Sequence, residues 1–338
     1  MTHRIRAARP SDLEALHGFA ELTGGGFTNL PADRDTLSAK LERARQAFER
    51  SDDTPSDDLY VFILEDFATG AMRGTCQVFG SVGLDRPFYS YLIATLTQKS
   101  EALGKVFRNQ SLNLTTDLEG SSEVGGLFLH PEARMGGLGL LLSRCRYLFL
   151  RTHRERFADT VLAELRGIID EDGHSPFWDA IGGRFFGMTF PEADDFNAVH
   201  GTQFIADLFP KSPIYTAMLP DDAQAVIGQP HPSGKGALRM LEAEGFVWDS
   251  YVDIFDGGPT VIAATDKIRT VRDSKALRLS DRDAEGGSAA LLSAGRLGSF
   301  KACYGQVEEL DDDEVAVDAE ARAMLEAAPG DTILIAAR

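Results

Sequence analysis

Apolar residues near the start of the chain first alternate with polar ones and then repeat at helical spacing. The stretch from residue 4 to residue 8 predicts a short strand, and the next apolar positions predict an amphipathic helix. Ser11 and Glu14 have the spacing of a capping box, which places the helix start at Ser11. Residues 24–26, all glycine, should end this helix. A second amphipathic helix is predicted over residues 35–50. The apolar face of the first helix consists of Leu13, Leu16, Phe19 and Leu22.

Two runs rich in β-formers follow a polar loop at residues 51–58. Residues 59–66 and 71–83 are separated by a short turn sequence, FATG, and predict a pair of antiparallel strands. Residues 86–120 have no clear period, so we expect an irregular insertion there. The chain therefore begins with the order strand, helix, helix, strand, strand.

A strand, a glycine-rich stretch and an apolar helix come next. Residues 122–130 predict a strand, and residues 139–157 predict the helix. Another strand is predicted at 160–167, and a short helix with its exit at 174–188. The alternation of strands and helices predicts an α/β fold with a mixed sheet and flanking helices.

The second half of the chain repeats some of these patterns. Residues 201–275 contain more helices, and the sequence LEAEGF resembles the earlier order of helix, glycine and phenylalanine, which suggests a partial internal repeat. We therefore predict one domain over residues 1–275, with two related halves at about 1–200 and 201–275. Residues 276–338 are predicted to form a small β-rich C-terminal appendage, and nothing in them indicates chemistry.

The composition excludes several classes of protein. The 338 residues are 43% hydrophobic and carry a formal net charge of −18. Such acidity disfavours nucleic-acid binding, which needs clustered basic residues. The three cysteines are far apart, which disfavours a disulfide framework or a zinc ribbon, and Cys145 should be a buried apolar side chain. We find neither a signal-peptide core nor an apolar run that would span a bilayer, so we expect a cytoplasmic protein. The first segment is interrupted by Arg4, Arg6, Arg9, Asp12 and Glu14.

The glycine-rich stretch RMGGLG lies between a strand and a helix. Arg134, Gly137 and Gly139 form the pattern R-x-x-G-x-G. Glycines let the backbone approach a ligand closely, and a helix start presents unpaired N–H groups, so this stretch suits a pyrophosphate. A plain glycine-rich turn explains the same residues equally well. The patterns of the P-loop and of the dinucleotide-binding loop are both absent.

This stretch resembles motif A of the GCN5-related N-acyltransferases, which bind coenzyme A at such a loop. Longer segments over residues 1–275 sharpen the resemblance to one branch, the arginine N-succinyltransferase family. Those segments are LTGGGFTNLP, GSSEVGGLFLHPEAR, ELRGIIDEDGHSPFWDAIGGRFF, FPKSPIY, AVIGQPHP and YVDIFDGGPT.

The resemblance implies direct transfer of succinyl from succinyl-CoA to the α-amine of L-arginine, a step of arginine catabolism, without an acyl-enzyme or a permanently bound cofactor. It assigns polarisation of the thioester carbonyl to a backbone N–H near Leu127 and proton transfer to His231. The acyl-CoA contacts expected from it are Leu127, Phe128, Leu129, Arg134, Gly136, Gly137, Leu138 and Gly139.

Without the family resemblance, the sequence leaves several candidates for the residue that transfers the proton. Imidazole titrates near neutral pH, so all seven histidines are candidates for proton transfer. His231 lies between two prolines in GQPHPSG, and a structural loop histidine is the competing explanation. Its role is open between a base for the amine and a proton donor to the departing thiolate.

The sequence offers several candidates for the residues that bind the substrate. A guanidinium needs a carboxylate, and a succinyl carboxylate needs cationic or N–H donors. Most such side chains are simply solvated surface residues. The segment at residues 23–31 is either a helix C-cap and turn or a loop that folds over the substrate, and its side-chain donors Thr23, Thr28 and Asn29 favour the substrate loop. The preferred substrate residues are Thr23, Gly25, Thr28, Asn29, Glu123 and Arg166. Further candidates are Glu164, Asp170, Glu171, Ser121, Ser122 and Lys211.

Two other readings stay open. One is an acyltransferase with another acceptor or donor, such as ornithine or acetyl-CoA, since a few contacts decide specificity. The other is a CoA-binding regulator without catalysis. A metal enzyme is disfavoured because the histidines lack ligand spacing. We expect no nucleic-acid or membrane partner, and either a homo-oligomer or a complex with a similar subunit. Asp256 is expected in a turn or a subunit contact.

Overall fold

A computed structural model describes residues 2–23, 29–200, 203–310 and 313–338. Its helices are α1 Leu13–Leu22, α2 Arg34–Glu49, α3 Leu138–Thr152, α4 Pro176–Ala180, α5 Gly182–Phe186, α6 Phe190–His200, α7 Gln203–Leu208, α8 Asp221–Val226, α9 Lys235–Glu244, α10 Arg269–Asp273 and α11 Ala319–Leu325. Its strands are β1 His3–Ala7, β2 Leu59–Asp66, β3 Met72–Phe79, β4 Ser90–Ser100, β5 Lys105–Thr115, β6 Ser122–Leu129, β7 Thr160–Glu164, β8 Ile214–Tyr215, β9 Val247–Val252, β10 Pro259–Ala264, β11 Lys275–Leu279, β12 Ser288–Ala294, β13 Lys301–Glu309, β14 Glu314–Val317 and β15 Thr332–Ala337.

The chain divides into two compact units. The first consists of residues 1–80, 122–159 and 264–338, and the second of residues 81–121 and 160–263. In the first unit, β1, β2, β3 and β6 are neighbours in that order. Helix α3 packs against β3 and β6, while α2 packs against β2. The predicted α/β class and the predicted helices and strands of this part are confirmed.

The predicted capping box at Ser11 and Glu14 is wrong. A short 3-10 helix at Pro10–Asp12 precedes α1, and Asp12 occupies the N-cap position of α1. The Asp12 carboxylate accepts the Arg9 N–H at 2.7 Å and pairs with Arg6, whose Nη1 lies 2.8 Å away. The carboxylate is buried, and a buried charge needs a charged partner, so the ion pair with Arg6 overrides the local capping signal.

The C-terminal residues of the first unit form a closed set of β-pairings. Strand β12 pairs with both β13 and β15, β15 pairs with β11, β11 with β14, and β14 with β13. Closure leaves no open edge in this set, and α11 contributes to its apolar core. Strand β13 also pairs with β1 through Cys303 and Arg4. Residues 264–338 therefore belong to one compact unit with the first strands, whereas a domain boundary near residue 275 stays a prediction.

The second unit contains the sheet order β7, β10, β9, β4, β5, β8. Its strands β4 and β5 form a regular antiparallel hairpin from Ser90 opposite Thr115 to Ser100 opposite Lys105. The expected irregular insertion at residues 86–120 is therefore wrong. The outer half of this hairpin is exposed on both faces, so it lacks the alternation of apolar and polar residues that marks a half-buried strand.

The core of the second unit surrounds Trp178 on α4, which is completely buried. Its indole stacks against Phe186 and Phe255, with ring centroids 5.8 and 5.6 Å away. The order of helix, glycine and phenylalanine in LEAEGF is confirmed, since α9 ends at Glu244 and is followed by Gly245 and Phe246. The partial internal repeat stays a prediction. Within the described ranges, no helix combines the length and the apolar character that crossing a membrane requires.

Candidate functional site

A β-bulge interrupts β6 at the position expected to face the thioester. Thr75 pairs with Phe128 and Gln77 pairs with Gly125, so Gly126 and Leu127 together oppose one residue of β3. A bulge takes one residue out of the regular ladder and turns its backbone groups in a new direction. The bulge lies at Leu127, where the sequence predicts the backbone N–H that polarises the thioester.

The glycine-rich stretch after β6 leads directly into α3. Gly136 has a φ of 67° and Gly137 a φ of 80°, a conformation that side chains with a Cβ rarely adopt. Gly137 is the N-cap of α3, and no side chain among the described residues caps this helix start. Gly139 lies in the first turn of α3, where a Cβ would make only an ordinary contact, 3.7 Å from Leu129. The described part of the fold therefore has room for a side chain at position 139.

Two side chains from the C-terminal strands contact this glycine-rich stretch. The hydroxyl of Tyr304, on β13, donates to the Gly137 carbonyl at 3.2 Å. Arg338 donates through Nη2 to the Gly136 carbonyl at 3.1 Å, and its guanidinium carbon lies 4.4 Å from the centre of the Tyr304 ring. Arg134, at the start of the stretch, is exposed. Both carbonyls of the turn are therefore held by side chains, while the helix start stays open to solvent.

A polar cluster lies beside Gly125 on β6 in the first unit. Gln77 donates through Nε2 to Asn29 Oδ1 at 2.6 Å, and Lys40 donates to the Asn29 carbonyl. A Cβ on Gly125 would lie 3.0 Å from Glu123 Oε1 and 3.3 Å from Asn29 Nδ2. Burial lowers the pKa of Lys40 to about 7, and Glu123 opposes this shift. The structure thus brings the predicted substrate residues Asn29 and Glu123 together.

The other predicted substrate residues of the first unit are placed differently. The Thr23 hydroxyl donates to the Ala20 carbonyl at 2.7 Å, as at an ordinary helix end. Gly25 and Thr28 lie outside the described residues. The Ser122 hydroxyl donates to the Gly80 carbonyl at 2.6 Å and accepts the Ala158 N–H at 2.9 Å, so it joins backbone segments.

In the second unit, the structure places His231 beside Arg166. The backbone N–H of His231 donates to the backbone carbonyl of Arg166 at 2.7 Å. Arg166 is half-buried, and within the described part of the chain its buried Nε has no hydrogen-bond partner. A buried unpaired donor is costly unless a ligand satisfies it. A guanidinium nitrogen without a partner is chemically suited to a carboxylate ligand.

The His231 ring is held by Ser233. Nδ1 accepts the Ser233 N–H at 3.2 Å and lies 2.6 Å from Ser233 Oγ, which assigns the proton of the neutral ring to Nε2. Burial, and secondly the positive charge of Arg166, lower the pKa of His231, while a hydrogen bond with the Ile169 backbone opposes the shift. The imidazole is therefore neutral near pH 7, the form that a general base requires.

Asp256 anchors the segment that carries Arg166. Its Oδ2 accepts the Gly167 N–H at 2.7 Å, and its Oδ1 accepts the Gly258 N–H at 2.8 Å. Burial, reinforced by the nearby Asp253, raises the pKa of Asp256. The Gly257 carbonyl in turn accepts the Gly228 N–H at 2.8 Å. The turn at Asp256 and Gly257 therefore holds two segments of the second unit, one directly after Arg166 and one just before His231.

Sequence reasoning missed several residues of these groups. Ser233 follows His231 by two positions, so the local sequence held a signal for it. Lys40 and Gln77 carried no local signal, because each is an ordinary polar residue of a helix or a strand. Tyr304 and Arg338 lie more than 160 positions from the glycines that they contact.

Comparisons with known proteins agree on one family. The model of the family described as "Arginine N-succinyltransferase beta subunit" matches residues 3–270, and that of its C-terminal domain matches residues 274–337. An arginine N-succinyltransferase of Salmonella arizonae is 45% identical over 278 residues, which are 82% of this chain and 80% of the relative. One from Escherichia coli is 45% identical over 291 residues, 86% of this chain and 84% of the relative.

A solved structure supports the same assignment. Arginine/ornithine succinyltransferase subunit AI from Pseudomonas aeruginosa matches with a TM-score of 0.89 at 32% identity. The match covers 99% of this chain and 98% of the other. The family resemblance read from the sequence is thereby confirmed, and the chain belongs to the arginine N-succinyltransferase family of acyltransferases.

Proposed function

We propose that the protein transfers the succinyl group of succinyl-CoA to the α-amine of L-arginine, giving N2-succinylarginine and free CoA. The observation that carries this proposal is the order of features along one short segment: the bulge at Gly126 and Leu127, the turn at Gly136 and Gly137, and the open start of α3. Membership of the family adds the identity of both substrates.

The diphosphate of succinyl-CoA binds at the turn between β6 and α3. Helix starts favour anions because their N–H groups are unpaired and the helix dipole is positive there. Arg134 adds a positive charge, and Phe128, Leu129 and Leu138 complete the acyl-CoA contacts. Gly139 lets the ligand approach the first helical turn.

The backbone N–H at Leu127 polarises the thioester carbonyl. A donor fixed at the developing oxyanion is worth about 3 kcal/mol in comparable acyl transfers. The amine lone pair then attacks the carbonyl carbon, the C–N bond forms, and the C–S bond breaks. One amine proton leaves, and the CoA thiolate takes up a proton.

His231 takes the proton from the amine. Its lowered pKa keeps the ring neutral, but the Nδ1 lone pair faces Ser233. Acting as a base at Nδ1 therefore requires the hydrogen bond with Ser233 to open when the amine binds. Catalytic hydrogen bonds often reach their final geometry only in the substrate complex.

The carboxylates and the guanidinium are recognised by opposite charges. Arg166 binds the succinyl carboxylate through its unpaired Nε. Glu123 binds the arginine guanidinium, and Asn29 lies against it.

The decisive experiment mixes the purified protein with acyl-CoA donors and a panel of amines, follows thiol release, and identifies the product by mass. Succinylarginine as the preferred product supports the proposal. Ornithine belongs in the panel because the relative from Pseudomonas aeruginosa is described with both amino acids. Preference for ornithine or for acetyl-CoA would overturn the proposed specificity. CoA binding without thiol release from any pair would instead indicate a regulator.

A further inference from the structure

The C-terminal strands contact the turn that we assign to the acyl-CoA diphosphate. Tyr304 lies on β13, Arg338 follows β15, and both donate to carbonyls of the turn at Gly136 and Gly137. All of these residues belong to the first compact unit. The sequence showed no chemistry in residues 276–338, and the proposed reaction assigned them none.

Tyr304 supports the turn from within the protein. Its side chain is 2% exposed, so its hydroxyl needs a hydrogen-bond partner, and the Gly137 carbonyl provides one. The contact restrains a backbone that only glycine adopts easily, with a φ of 80° at Gly137. A restrained turn loses less conformational entropy when it closes on a ligand.

Helix α3 also contacts the end of β15, through Arg144. Arg144 donates through Nη1 to the Ala337 carbonyl at 2.6 Å and through Nε to the Thr270 hydroxyl at 2.8 Å. Residue 337 directly precedes Arg338, so this buried arginine ties the end of β15 to α3. The Arg338 backbone is therefore fixed relative to the helix start.

Arg338 places an unpaired positive charge at the turn. Its guanidinium stacks on Tyr304 and donates to Gly136, and one of its nitrogens lies 3.5 Å from where a Cβ of Gly137 would be. Within the described residues it has no ion pair with a carboxylate, although the chain carries a formal net charge of −18. An arginine has five N–H donors in a planar fork that suits phosphate oxygens. In the described part of the chain, Arg338 uses one of these donors, for the Gly136 carbonyl.

We propose that Arg338 binds the diphosphate of acyl-CoA, with Tyr304 as the positioning residue that holds both the arginine and the Gly137 turn. The C-terminal strands thus form one wall of the acyl-CoA site. This inference rests on the proposed function, because it takes the ligand of the turn to be an acyl-CoA.

The test measures direct binding of coenzyme A by calorimetry, without any turnover. Arg338→Gln should raise the Kd for CoA about 3- to 10-fold, because it removes an exposed charge-assisted contact. Arg338→Lys should lose less CoA affinity than Arg338→Gln, since lysine keeps the positive charge but lacks the planar guanidinium. Tyr304→Phe should also weaken CoA binding while it retains the ring beneath Arg338. The matched control is Arg278→Gln, an exposed arginine on β11 of the same C-terminal strands.

Two comparisons make the result specific. The loss caused by Arg338→Gln should be the same with 3′-dephospho-CoA and should shrink at high salt. A loss that disappears with 3′-dephospho-CoA would overturn the assignment to the diphosphate. Unchanged CoA affinity in a folded Arg338→Gln protein, alongside a wild type that binds CoA, would overturn the inference but not the proposed function. A wild type that binds no CoA would overturn both.

Discussion

The carboxylate of Asp256 accepts the backbone N–H of Gly167 at 2.7 Å, although 89 residues separate them. Gly167 directly follows Arg166, whose carbonyl accepts the His231 N–H. The buried Asp256 thereby fixes the backbone next to Arg166, the residue proposed to bind the succinyl carboxylate. Through the Arg166 carbonyl it also fixes the loop that carries His231, the proposed base.

We expect Asp256→Asn to lower both stability and turnover. The side-chain amide keeps only one acceptor oxygen, so its nitrogen would place a donor against the N–H of Gly167 or of Gly258. A buried N–H without a partner costs about 1–3 kcal/mol. Thermal unfolding and steady-state kinetics measure the two effects, with Asp249→Asn on the exposed side of β9 as control. A kcat equal to wild type, despite a lower Tm, would show that Asp256 does not position His231.

His231→Ala should reduce kcat by about 100-fold or more, the usual contribution of a general base. The Kd for CoA should change little, because His231 is assigned to proton transfer and not to the donor site. His174→Ala is the matched control, since His174 is an exposed loop histidine of the same unit. Wild-type turnover in His231→Ala would remove this residue from the mechanism.

Gly139→Ala separates ligand binding from folding. Alanine favours a helix over glycine by about 1 kcal/mol, and a Cβ here would make only an ordinary contact with Leu129. We therefore expect equal or greater stability together with weaker CoA binding. Gly236→Ala, on α9 with open space around its Cβ position, should leave CoA binding unchanged. Full CoA affinity in Gly139→Ala would contradict the close approach of the ligand to α3.

Arg166→Gln should erode the preference for succinyl-CoA over acetyl-CoA. Acetyl-CoA lacks the distal carboxylate, so kcat/KM with acetyl-CoA should fall far less than with succinyl-CoA. The loss of a charge-assisted hydrogen bond of about 1.5–3 kcal/mol corresponds to a drop in kcat/KM of about 10- to 150-fold with succinyl-CoA. Arg184→Gln, an exposed arginine on α5, serves as control. Equal losses with both donors would assign Arg166 another role.

His153 should make stability depend on pH. Burial lowers its pKa to about 4, while its backbone hydrogen bond to Phe149 opposes the shift. The ring is neutral in the fold, where Nε2 accepts the Leu297 N–H at 3.0 Å. In the unfolded chain the pKa of His153 is about 6.5, so the unfolded chain binds the proton first as the pH falls. Stability is therefore present above about pH 6.5 and is lost towards pH 4, by on the order of 3 kcal/mol in total.

Urea unfolding between pH 7.5 and about 5 measures this loss, over a range chosen to stay above most carboxylate pKa values. His153→Gln should be less stable than wild type at pH 7.5 but should show a smaller decrease as the pH falls. The same decrease in both proteins would show that other groups cause the pH dependence.

The sequence by itself determined the elements and the family. Helical spacing of apolar residues gave α1, α2, α3 and α9, and the glycines after β6 marked the turn at the start of α3. These signals are local, because periodicity and backbone conformation depend on neighbouring residues. Where the sequence misled, the local pattern was weak, as in the β4–β5 hairpin, whose outer half has no buried face.

Only the tertiary structure decided which distant residues meet. Asp256 with Gly167, Tyr304 with Gly137, and Gln77 with Asn29 are contacts between separate parts of the chain, and each depends on strand register and side-chain packing. A buried polar group must find its partner wherever the fold brings one, and that partner has no fixed spacing in the chain. For this reason the sequence identified the turn that we propose to bind acyl-CoA, while the contacts of that turn with the C-terminal strands became visible only in the folded protein.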